Sequence, residues 1–122
     1  MARFAAVLAA LGLVLAASAP ARAADLEFFT GESLSAQCTA APGDADFAGK
    51  QGRCVGYVVG VSDAQQAGQG LGAAQRVCFP AGVTATAMVT AVTGFLAAHP
   101  EKRPLAAQDL VVEALAAQYP CK

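Results

Sequence analysis

The chain is short of the residues that chemistry needs. One histidine, His99, serves the whole sequence, and no two of its four cysteines are spaced as C-x-x-C. A zinc site therefore has almost nothing to build on, and no cofactor is expected. Cys-His catalysis fails for the same reason, because a thiolate needs a base and each cysteine has a partner to oxidise with. Ser33, Ser35 and Ser62 stand in no nucleophile-elbow context, so serine hydrolysis is excluded with it. Basic residues are also sparse: Lys102-Arg103 is the adjacent basic pair, which excludes a nucleic-acid surface and reads as a solvated turn. The carboxylates Asp44, Asp46, Asp63 and Glu113 form no acid–base pair or calcium-loop spacing, and all four read as surface.

Long apolar runs are missing except at the start. Arg3 precedes the run Phe4 to Ala17, and small residues at Ala21 and Ala23 follow. That is a secretory signal peptide with cleavage after Ala23, too short to span a bilayer, which leaves residues 24–122 as one domain without stable membrane insertion. In an exported chain the even set Cys38, Cys54, Cys78 and Cys121 defaults to two disulfides.

What remains is helical patterning. Thr30 is an N-cap candidate with Glu32 in the following turn, opening a first helix that ends at Cys38. Ala41-Pro42-Gly43-Asp44 breaks it, and a loop through Gly52 leads to the central stretch Cys54 to Ala64. There Val55, Val58, Val59 and Ser62 repeat at helical spacing, with Tyr57, Val61 and Ala64 on the adjoining stripe. The valines would also suit a strand, but the stretch is long for one and has no turn signal. Gly56 and Gly60 lie on one strip of this helix and are expected to admit a neighbouring helix backbone closely, so that leucine at either should destabilise.

Gly68, Gln69, Gly70, Leu71 and Gly72 then form a loop that matches neither a dinucleotide fingerprint nor a P-loop. Thr84 caps a third helix carrying Met88, Val89, Val92, Phe95 and Leu96, stopped by His99-Pro100. A fourth carries Leu110, Val111, Ala114, Leu115 and Gln118 and ends at Tyr119-Pro120-Cys121. The fold class is all-α, a small bundle of about four helices stapled by two disulfides. Helix order selects the pairing: a first hairpin brings Cys38 to Cys54, and a second brings Cys78 to Cys121. The chain-entropy account gives about 3 and about 4 kcal/mol for the two loops.

In their order, several motifs resemble one family. They are Phe29-Thr30-Gly31 with Leu34 and Cys38, Cys54 to Val61 with Asp63-Ala64, Cys78-Phe79-Pro80-Ala81-Gly82-Val83-Thr84, His99-Pro100-Glu101, Leu110-Val111, Ala114-Leu115-Ala116 and Tyr119-Pro120-Cys121. This set is similar to the Rap or Tai immunity proteins of type VI secretion. The resemblance implies an all-helical periplasmic protein, often a homodimer, that binds a peptidoglycan amidase effector and blocks it without catalytic residues of its own. Two other readings stand beside it: a stress chaperone or binding module of HdeA type, and a purely structural envelope protein. For a binding protein the segments that do not serve the core are the expected contacts. These are Thr39 to Gly52, Gly68 to Gln75, and the turn His99 to Pro104, which includes Glu101.

Overall fold

The computed structural model describes residues 29–67 and 77–122. Helix α1 is Gly31–Cys38, α2 Phe47–Gln66, α3 Ala85–Ala98 and α4 Ala107–Gln118, with a short 3-10 turn, Pro100–Lys102, before the last. The all-α expectation holds over these residues, where the extended pairings are isolated bridges, Thr30 with Ala106 and Val77 with Pro120. The expected signal peptide, and the loop residues Gly68, Gln69, Gly70, Leu71 and Gly72, lie outside the described residues.

The helix ends follow local chemistry. Thr30 Oγ1 accepts from the Ser33 N–H at 3.2 Å, and Thr84 Oγ1 from the Ala87 N–H at 3.2 Å, each satisfying a donor that its first helical turn leaves free. At the far end of α3 the His99 N–H donates to Phe95 O at 3.0 Å, and Pro100 prevents a further turn. One boundary differs from expectation. The expected loop through Gly52 is helical from Phe47 onward. Asp46 turns the chain in the left-handed region (φ 56°, ψ 33°), and its carboxylate pairs with Arg53 Nη2 at 2.8 Å. A Cβ at Gly49 would collide with that carboxylate, so the glycine that reads as a loop residue is what lets Asp46 fold back over the helix start.

The core is built from Leu34, Val58, Met88, Val92 and Leu96 together with α4, which supplies Ala107, Leu110, Val111, Ala114 and Leu115. The longest helix is therefore not the innermost. Of α2 only Cys54, Val58 and Ser62 are buried, and Val55, expected on the same packed face, is 37% exposed. Ser62 is accommodated without a lost hydrogen bond, since its hydroxyl donates to Val58 O at 2.7 Å. Both disulfides are those expected, Cys38 with Cys54 (Cα–Cα 5.0 Å) and Cys78 with Cys121 (4.9 Å). The first ties α1 to α2, and the second ties the segment before α3 to the end of α4.

Candidate functional site

The turn from His99 to Pro104 is held on three sides. Lys102 makes an ion pair with Glu113 of α4, and its ammonium lies 5.3 Å from the centre of the Phe95 ring. Arg103 Nε donates to Leu96 O at 2.9 Å, and the His99 ring stacks on Phe95 at 4.5 Å. Glu113 is consequently half-buried and paired, not the plain surface carboxylate expected. His99 Nδ1 and Glu101 lie 3.2 Å apart, with Glu101 exposed. A hydrogen bond from its own backbone N–H lowers the Glu101 carboxyl below its ordinary value, slight desolvation opposes this, and His99 and Lys102 add to the lowering.

The same turn receives α1. The Gly31 N–H donates to Leu105 O at 2.9 Å and the Glu32 N–H to Arg103 O at 2.8 Å. A Cβ on Gly31 would meet the Leu110 side chain and come within 2.9 Å of Arg103 O. The glycine at a packed crossing is thus Gly31, which reads in the sequence only as part of a helix start. Gly56 and Gly60, expected there, are both exposed, and a Cβ at either would meet nothing within 4 Å. Their strip lies opposite the buried side of the same helix, which Cys54, Val58 and Ser62 occupy.

That strip floors an open hollow of about 320 Å³, lined by Gly56, Tyr57, Gly60, Val61 and Ala64 of α2 and by Gln108 of α4. Tyr57 is its fixed wall: its ring packs on Phe29 at 5.1 Å. Burial raises the Tyr57 phenol above its ordinary pKa, the Asp109 carboxylate raises it further, and a hydrogen bond from the Gln108 backbone N–H opposes both. A second hollow, of about 390 Å³, lies between α3 and α4 along Thr90, Ala91, Gly94, Phe95, Ala114 and Ala117. Neither contains an arrangement for bond making, and among the described residues no three His, Cys, Asp or Glu side chains converge on a common point. What the two hollows offer is shape and neutral surface, the materials of a protein contact.

The family model of the Rap1a immunity proteins matches residues 30–121. The chain belongs to the Rap1a immunity protein family. The match starts at the cap of α1 and ends at the last cysteine, so it takes in the whole bundle and both disulfides. No curated protein and no solved structure matches this chain. Membership makes it an immunity protein, whose work is to bind a toxin. None of the described helices is long and apolar enough to cross a membrane.

Proposed function

We propose that this is a periplasmic immunity protein that binds a peptidoglycan amidase delivered by type VI secretion and inhibits it stoichiometrically. The observation that carries the reading is the family match across residues 30–121. Export through a signal peptide cleaved after Ala23 fits the two disulfides, which persist in an oxidising compartment. Blocking an enzyme needs no catalytic group. It needs an interface of roughly 800 Å² on each partner, within the means of one face of a bundle this size. A homodimer belongs to the reading: α3 carries no charged residue from Ala85 to Ala98, and its outer side offers a second copy a neutral face.

The test is titration of the chain, expressed from Ala24, into an amidase effector encoded beside it. Muramyl-peptide hydrolysis should fall linearly and reach its floor at a fixed molar ratio. Continued hydrolysis at tenfold excess, together with protection of many unrelated clients at low pH, would replace this reading with the HdeA-type chaperone.

A further inference from the structure

The two disulfides stand in different surroundings. Cys38 is the last residue of α1 and Cys54 lies inside α2. Cys54 is 0% exposed, and Cys38 packs half-buried against the core. Cys78 and Cys121 are both exposed, and both lie in non-helical chain. Thiol–disulfide exchange needs a thiolate to reach one sulfur along the S–S axis, so access decides which bridge reacts. Packed helices bar that approach at Cys54. Nothing comparable encloses Cys78 and Cys121, which sit on the short segments 77–80 and 119–122.

Those segments are joined by more than the bridge. The Cys78 N–H donates to Tyr119 O at 2.9 Å, and Val77 pairs with Pro120. The Phe79 and Tyr119 rings lie 5.5 Å apart, and Val77, Phe79 and Tyr119 are packed against the core. Opening the S–S bond leaves these contacts in place. The cysteines, with Cα atoms 4.9 Å apart in the closed form, then stay near enough to rejoin.

We propose that Cys78–Cys121 is a reversible exchange site for a dithiol, while Cys38–Cys54 is a permanent staple. One thiolate of the dithiol attacks the sulfur of one of these cysteines; the S–S bond breaks, and the other cysteine leaves as a thiolate that takes up a proton. The second thiolate of the dithiol attacks its own sulfur in the mixed disulfide, closing the reagent's disulfide and releasing the first cysteine. Two electrons and two protons pass from the dithiol to the protein. The open form keeps its four α-helices and Cys38–Cys54, and loses only the covalent tie between the segment before α3 and the chain after α4. A small dithiol and a C-x-x-C oxidoreductase supply the same chemistry, and exposed non-helical segments admit either. Exchange at this site does not depend on the immunity reading.

The experiment incubates the oxidised protein, expressed from Ala24, at neutral pH without denaturant. One arm contains dithiothreitol, the other thioredoxin with its reductase and NADPH. Timed samples are alkylated and mapped by peptide mass spectrometry, with circular dichroism alongside. Cys78 and Cys121 should be labelled together, at least about tenfold sooner than Cys38 and Cys54, with the helical signal retained. Removing dithiothreitol in air should restore Cys78–Cys121. That labelling order in the dithiothreitol arm alone supports the site with small dithiols as its reagents, and in the thioredoxin arm it extends the site to protein dithiols. Release of all four thiols at one rate, or of Cys38 and Cys54 first, overturns the proposal. Reduction of Cys78–Cys121 only in step with loss of the helical signal also overturns it, since the bridge would then be inseparable from the fold. Re-oxidation into other pairings contradicts the reversible site.

Discussion

Helix α2 is 20 residues long and buries Cys54, Val58 and Ser62, whereas α4, at 12 residues, buries Ala107, Leu110, Val111, Val112, Ala114 and Leu115. The shorter helix is enclosed by its neighbours, while the longer one is held along one side and left open along the other. Glycine use follows the same division. The strip that α2 turns outward carries Gly56 and Gly60, and α4 has no glycine at all. Side chains on α4 are spent on the fold. On α2 the small residues Gly56 and Gly60 lie on the side that the rest of the described chain leaves uncovered.

Four changes press on this contrast, in decreasing order of effect. Replacing Cys78 and Cys121 by serine frees both ends of the α3–α4 hairpin and should cost about 4 kcal/mol, against about 3 for the Cys38–Cys54 pair on α2. Denaturant midpoints of the two double variants would check the order. Leu115→Ala empties a fully buried site on α4 and should cost about 2–5 kcal/mol, whereas Val55→Ala on α2 should cost less than about 1. Equal losses in urea melts would erase the distinction between the helices. Gly31→Ala drives a Cβ against Leu110 and Arg103 O, and overpacking of this kind costs about 1–3 kcal/mol, read as a lower melting temperature.

The fourth concerns pH and is the smallest. The Arg53 guanidinium, through its hydrogen bond and then its charge, holds the Asp46 carboxyl below its ordinary value of 3.8. A carboxyl lowered in the folded state adds stability that is present above its unfolded pKa and disappears as pH falls through the folded one. Asp46 is exposed, so the effect is slight. The melting temperature of Asp46→Asn should therefore run just below wild type at neutral pH and meet it once the pH has fallen through the lowered, folded-state pKa of Asp46. A constant gap across that range would mean that Asp46 acts through the turn geometry and not through its charge.

Much of this architecture can be read from local signals, because caps and stops are local. Thr30, Thr84 and His99-Pro100 mark their helix ends within a few residues, and the cysteine pairing follows once the helices are in order. The start of α2 escapes such reading, since Gly49 and Gly52 look like loop residues until Asp46 is seen lying back toward Arg53. The glycines escape it for a different reason. A four-residue spacing shows that Gly56 and Gly60 share a strip, but which side the rest of the chain covers is decided by α1, α3 and α4 together. Gly31 is the converse case: its close neighbours, Arg103 and Leu110, come from the far end of the sequence. For the candidate site, the turn from His99 to Glu101 was visible as an exposed connection, but its anchoring by Lys102, Glu113 and Phe95 depends on helices that meet only in the folded bundle.

The account turns on the outer strip of α2 being free of the fold, and thermal unfolding of Gly60→Ala beside wild type addresses that most directly. With no neighbour within 4 Å of the new methyl group, the substitution should remove a helix penalty and nothing else. The expected result is a stabilisation of about 0.5–1 kcal/mol, seen as a higher melting temperature. A fall in melting temperature would show that the strip is packed within the folded chain, and the contrast between α2 and α4 would not stand.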